Sequence, residues 1–172
     1  MKKIFTKLMM LCLFGTISMG AKAEVVGGPC GDNATWSLDT ETWKFTISGS
    51  GDMTNFEYSN VPWYDYRRSI LSVEISGQIT SIGNYAFCSF GKMTNIVIPN
   101  SLTSIGSSAF YGCKSLTSVT IPNYVTSIGD RAFNGCKSLT SIAVESGNKV
   151  YDSRDNCNAI IETDSNTLIT GC

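Results

Sequence analysis

The tripeptide Ser-Ile-Gly stands at residues 81–83, 104–106 and 127–129, and its constant interval of 23 residues limits how the chain can fold more than any other feature. Ala-Phe keeps the same interval at 86–87, 109–110 and 132–133. A third pattern runs through four copies: Ile70-x-x-Val73-x-Ile75, Met93-x-x-Ile96-x-Ile98, Leu116-x-x-Val119-x-Ile121 and Leu139-x-x-Ile142-x-Val144. These segments alternate apolar with small polar residues and are rich in β-branched types, which predicts half-buried strands. A unit this short cannot bury its apolar side alone. Successive units must therefore stack, with strands at about 71–75, 94–98, 117–121 and 140–144 parallel and neighbouring. Pro99 and Pro122 are expected to end strands, because proline has no N–H to give to a ladder. In the second half of each unit, Ile105 and Phe110 are expected to point inward, Gly106 to turn the chain, and Ser107 to Phe110 to form about one helical turn. Phe87, Phe110 and Phe133 then fall in one internal column.

Residues 70–144 resemble the BspA-like branch of bacterial leucine-rich repeats, whose unit reads L-T-S-V-T-I-P-x-x-V-T-S-I-G-x-x-A-F-x-G-C-x-S. Residues 114–136 match it nearly letter for letter, and residues 91–113 match with Met93, Asn95 and Val97 as variants. The resemblance implies exported, often surface-exposed proteins, some of them adhesins for host matrix proteins. The expected architecture is an α/β-type solenoid: a leucine-rich repeat of 23 residues with a parallel β-sheet, short helical turns and an N-terminal β-hairpin cap.

The flanks carry no repeat. Met1-Lys2-Lys3, an interrupted apolar run to Met19 and Ala21-Lys22-Ala23 read as a signal peptide spanning residues 1–23, cleaved before Glu24. No later apolar stretch has membrane length. Loss of Lys2, Lys3, Lys7 and Lys22 leaves nine basic against fourteen acidic residues, a charge of −5 that is no footprint for nucleic acid. Residues 24–69 are expected to cap the first coil: Trp36 to Leu38 and Trp43 to Ile47 alternate as a hairpin, and an aromatic cluster (Phe56, Tyr58, Trp63, Tyr64, Tyr66) follows. An exposed Trp63 or Tyr64 binding a glycan is the other reading of that cluster. Residues 145–172 read as a hairpin insertion or an incomplete next repeat, Ala159 to Glu162 facing Thr167 to Ile169, with no obvious capping unit.

The chain has no histidine, the commonest general base and metal ligand. Cys113 and Cys136 lie one repeat apart and are expected to stack as a buried thiol ladder, a disulfide between neighbours being the alternative. Asp152, Asp155, Asn156, Asn158, Asp164 and Asn166 are read as turn residues; calcium binding is the weaker reading, since the spacing of an EF-hand loop is absent. No catalytic residue, metal site or cofactor is assigned. The outward strand positions are the candidate binding residues: Thr94, Thr117 and Thr140 in one column, Asn95, Ser118 and Ser141 in a second, and Thr120 in a third with Val97 and Ala143. Such a mildly polar face suits an extracellular protein or glycan. The expected function is a secreted or cell-surface interaction module, most simply an adhesin of a bacterium. A structural spacer or truncated inactive fragment is the alternative, and a hydrolytic enzyme domain a more distant one.

Overall fold

The computed structural model describes residues 24–171, so the expected leader with Cys12, and also Cys172, lie outside the described residues. The structure opens with three antiparallel strands, β1 (Val25–Pro29), β2 (Asn33–Asp39) and β3 (Lys44–Asp52). Trp36 and Leu38 alternate with polar residues on β2, as Phe45 and Ile47 do on β3, so one face of the hairpin is buried. At its tip the Asp39 carboxylate accepts the Glu41 and Thr42 N–H groups at 2.8 and 3.2 Å, an Asx turn that fixes the pairing. The hairpin anticipated from sequence is present and longer. β1, whose Gly27-Gly28-Pro29 hides its strand character, was not anticipated.

β3 changes partner along its length. Lys44 to Ile47 pair in parallel with β4 (Ser72–Ile75), and Ser50 to Asp52 pair in parallel with β5 (Gln78–Ile82). Two parallel ladders follow, built from β6 (Ser104–Ile105), β7 (Ser118–Ile121), β8 (Ser127–Ile128) and β9 (Ser141–Val144). β5, β6 and β8 continue the first sheet through the pairs Ser81↔Ser104 and Ser104↔Ser127. β7 and β9 form a separate sheet with Ser118 opposite Ser141. The chain closes with an antiparallel meander, β10 (Tyr151–Asp152), β11 (Ala159–Glu162) and β12 (Thr167–Gly171).

Two expectations are corrected. Residues 94–98 form no strand, and β4 pairs with β3 instead of with them. Their burial still alternates, with Ile96 and Ile98 inside and Asn95 and Val97 outside. Hydrophobic alternation sets which way side chains point; it does not set which segment supplies the ladder bonds. Residues 107–110 form successive turns rather than a helical turn, and Ser108 has φ +55°. The cause lies in where the N–H groups go: Ser108, Phe110 and Gly112 donate to the carbonyls of Asp130, Ala132 and Asn134 in the next coil, and Tyr85, Phe87 and Ser89 to those of Ser107, Ala109 and Tyr111. With alternate N–H groups donating between coils, the remaining ones, such as Ala109 to Gly106 and Tyr111 to Ser108, close separate turns and no continuous helix forms. The result is a sheet-rich, leucine-rich-repeat-like stack. The helical elements among the described residues are two short 3-10 turns, Tyr64–Tyr66 and Arg154–Asn156.

Inside, Phe87, Phe110 and Phe133 stack with ring centroids 5.3 and 5.1 Å apart, all buried, as the register demanded. Each buried phenylalanine contributes about 1.5–3 kcal/mol by removal from water. Trp36, Phe45 and Trp63 extend the column beneath the N-terminal hairpin, with Phe45 6.2 Å from Phe87.

Candidate functional site

Thr94, Asn95, Thr117, Ser118, Thr120, Thr140 and Ser141 are all exposed and lie along one side of the stack. β7 and β9 set Ser118 beside Ser141 and Thr120 beside Ala143, while Val119, Ile121 and Ile142 point into the core. Val97, in register with Thr120, is 78% exposed and makes the centre of this face apolar. At the N-terminal end the only charges in these columns, Lys44 and Glu74, pair with each other at 2.5 Å.

The threonine column has a second use. Thr117 Oγ1 donates to the Thr94 carbonyl at 3.1 Å and Thr140 Oγ1 to the Thr117 carbonyl at 3.4 Å. Thr103 and Thr126 repeat the arrangement on the other sheet, and Ser101 and Ser115 each reach back to a carbonyl at 2.7 Å. Thr117 and Thr140 are thus tied to the neighbouring coil, while Asn95, Ser118, Thr120 and Ser141 keep their polar groups toward solvent.

The aromatic region is arranged differently from the glycan-platform reading. Trp63 is fully buried, its Nε1–H donating to the Ala86 carbonyl at 2.6 Å, and it packs against Trp36, Phe45 and Phe56. Tyr64 is covered by the Arg67 guanidinium, 3.4 Å from the ring centre. Tyr58 remains 41% exposed. Its phenol is held below its ordinary pKa, chiefly by a hydrogen bond with the Ser89 hydroxyl and further by Tyr64 and Arg67.

Cys113 is buried and Cys136 half-buried, their thiols directed at the carbonyls of Phe87 and Phe110 at 3.1 and 3.2 Å. Burial pushes the Cys113 thiol well above its usual pKa, while a hydrogen bond from Cys113 lowers that of Cys136. The first sulfur position of this column is filled by Phe90, which lies 5.5 Å from both Phe45 and Phe87.

Near the C-terminus the acidic residues tie turns together. Arg154 Nε and Nη2 hold the two Asp152 oxygens at 2.8 and 2.7 Å, and Arg154 Nη1 reaches Asn166 Oδ1 at 2.9 Å. Among the described residues no group of three or more His, Cys, Asp or Glu side chains is arranged to hold a metal ion. The same region closes the last coil in a way the sequence concealed. The Tyr151 hydroxyl accepts the Ile128 N–H at 3.0 Å, and Asn148 Nδ2 donates to the Pro122 and Val125 carbonyls at 3.0 and 2.9 Å.

A groove absent from the sequence reading lies on the β5-β6-β8 sheet. It is open and shallow, with about 320 Å³ of space, and is lined by Asp52, Asn55, Ser81, Asn84, Ser104, Ser107 and Ser127 beside Gly106 and Gly129.

Comparison with known proteins agrees with this geometry. No curated protein matches the chain. Among solved structures it is similar to a leucine-rich repeat protein from Eubacterium ventriosum, with a TM-score of 0.52 and 23% identity over 86% of this chain and 50% of that one. It is also similar to a leucine rich cell surface protein from Faecalibacterium prausnitzii (TM-score 0.48, 18% identity, 84% of this chain and 61% of that one). A third is the pneumococcal vaccine antigen PcpA (0.45, 17%, 86% and 56%). The chain spans half to about three fifths of the length of these relatives. The first likeness concerns the fold alone. The pattern of the BspA type leucine rich repeat region matches residues 63–163 in six copies, more than half of the sequence, and the chain therefore belongs to that family.

Proposed function

We propose that this chain is an exported bacterial interaction module, presented at the cell surface or released, that adheres to a host or matrix protein or glycan through the β7-β9 face. The supporting observation is that face itself: Asn95, Val97, Ser118, Thr120, Ser141 and Ala143 are exposed side by side, in register and without charge. Shallow and extended, it offers complementary contact over area rather than enclosure of a reacting group. Residues 24–69 serve as the lid of the first coil in this reading, and solenoid stacking supplies the rigid backing. The family association supports binding rather than catalysis.

The test is an array of extracellular matrix proteins and glycans probed with the parent protein and with the double variant Ser118→Lys, Thr120→Lys. Thr117 is left in place because its hydroxyl bonds to Thr94. Two lysines on a face without charge add desolvation cost and spoil contact without entering the core. Lost binding with an unchanged melting temperature is the expected result. A ligand bound equally by both proteins would place the contact elsewhere, and no ligand at all would favour a spacer role.

A further inference from the structure

From the groove on the β5-β6-β8 sheet we infer that the protein has a second binding site, on a different face from the proposed adhesive one, which takes a neutral oligosaccharide laid along the stacking axis. The groove is open and shallow, with about 320 Å³ of space, which suits one face of an extended chain rather than an enclosed ligand. One wall is the column Asp52, Ser81, Ser104 and Ser127, whose members pair directly across four adjacent strands. The other is formed by Asn55, Asn84 and Ser107.

The chemistry of the lining selects the ligand. Backbone groups along the floor are already used: Gly106 and Gly129 donate to the Ile82 and Ile105 carbonyls, Asn84 N–H to Asn55 Oδ1, and Ser107 N–H to Asn84 Oδ1. At the outer strand β8 the Ile128 N–H is taken by the Tyr151 hydroxyl, so the backbone offers an added peptide strand little there. Met53, Ile82 and Ile105 line the groove but are almost fully buried, so no apolar subsite awaits a hydrophobic side chain. The one charged side chain is Asp52 at the end of the column, which accepts the Thr80 hydroxyl at 2.7 Å through Oδ1. An anion has no cationic partner there.

What remains is hydroxyl and amide chemistry. The hydroxyls of Ser101, Thr103, Ser115, Thr117, Thr126 and Thr140 are bonded to the coil before. Those of Ser81, Ser104 and Ser127 make no hydrogen bond among the described residues, and neither do the Nδ2 groups of Asn55 and Asn84. Both kinds of group face the groove. A serine hydroxyl both donates and accepts, as a sugar hydroxyl does. The three recur at the spacing of adjacent strands, about 4.7–4.9 Å, which suits a chain of repeated polyol units and offers a compact anion or a single side chain no advantage.

The probes are the neutral hexaoses of β-1,4-linked glucose, mannose, xylose and N-acetylglucosamine, titrated calorimetrically into the protein, with polygalacturonate fragments and an extended polar peptide as the charged and peptide arms. At least one neutral hexaose should bind, and Ser81→Val, Ser104→Val, Ser127→Val together should weaken it roughly tenfold or more, three hydrogen-bonding groups being removed. Valine favours strands, and these hydroxyls serve no neighbour, so the melting temperature should hold. A separate Ser104→Tyr variant, which fills the groove, should abolish binding. Ser118→Lys with Thr120→Lys should leave hexaose binding unchanged, so failure of this inference and failure of the adhesive reading are distinguishable. The inference is overturned if no neutral hexaose binds at millimolar concentration, if only the charged or peptide arm binds, or if a bound hexaose is indifferent to both groove variants.

Discussion

Gly106 and Gly91 are both glycines of the second repeat, yet replacing each with alanine should have opposite consequences. A Cβ built on Gly106 would lie 2.6 Å from the Asn84 nitrogen and 2.7 Å from both Asn84 Oδ1 and the Gly83 carbonyl carbon. Ordinary contact begins near 3.4 Å, so the two coils must part by about 0.8 Å. Two of the three obstacles are backbone atoms, and the third is an oxygen held by the Ser107 N–H at 2.7 Å, so no side chain can swing aside. Parting the coils stretches that bond and the one from Gly106 N–H to the Ile82 carbonyl, now 2.8 Å. Each such bond is worth about 1 kcal/mol, and forced overpacking costs about 1–3 kcal/mol. Alanine recovers about 0.4–1 kcal/mol by restricting the unfolded chain. The net loss for Gly106→Ala is about 2–4 kcal/mol, lowering the melting temperature by about 5–15 °C for a protein of this size. Around Gly91 the nearest atom to a new Cβ is the Ser89 carbonyl oxygen at 3.9 Å, and its φ lies outside the left-handed region. Gly91→Ala should therefore be neutral or stabilising by up to about 1 kcal/mol. Urea and thermal unfolding followed by circular dichroism compare the two variants directly. Equal effects, or a loss below about 0.5 kcal/mol for Gly106→Ala, a change ordinary for a surface site, would refute the close approach of coils.

Phe110 stacks between two rings, so Phe110→Ala should cost about 3–5 kcal/mol and Phe110→Leu clearly less, as read by chemical unfolding; similar costs for the two would mean that ring stacking is not what fills the column. Asp152 is held near a pKa of about 2 by its hydrogen bonds with Arg154. Because this folded-state value lies below the ordinary 3.8, the pair's contribution is present above that ordinary value and fades as pH falls through about 2. Carboxyl titration by NMR should show the low midpoint in the parent and a return toward 3.8 in Arg154→Ala, whereas a parent midpoint near 3.8 would discard the contact. Cys113 and Cys136 face neighbouring carbonyls instead of sharing a bond, so alkylation of exported protein under denaturing conditions without reductant should label both. Failure of both to label would show a disulfide in their place.

The parts of the fold that could be read from sequence are those in which one residue type answers one environment. Phe87, Phe110 and Phe133 repeat because each fills the same space, and the outward positions of β7 and β9 follow from simple alternation. The β5-β6-β8 sheet escaped notice because β6 and β8 are two residues long, too short for any period, and the glycine after each reads locally as a turn. Gly106 is there for a neighbouring backbone one repeat away. Ser107 to Phe110 looked helical for a related reason: local propensity says nothing of carbonyls in the next coil. Trp63 and Tyr64 are adjacent in sequence and aromatic, yet one is sealed by the Ala86 carbonyl and the other roofed by Arg67. The exposure of the columns proposed for binding could be read from the pattern. The groove could not, because Asp52 and Asn55 come from a stretch with no repeat and meet Ser81 and Asn84 only after folding.

The hydroxyl ladders have a consequence for how such a chain can change over generations. Thr103 reaches Thr80, and Thr126 reaches Thr103, each spanning 23 positions. What a coil asks of its predecessor is what it offers its successor. Excision of one whole internal unit would bring Thr126 against Thr80 with the same donor and acceptor, whereas loss of a few residues would leave every later hydroxyl facing the wrong group. A change of length by whole units therefore keeps every joint between coils matched, and any other change of length does not.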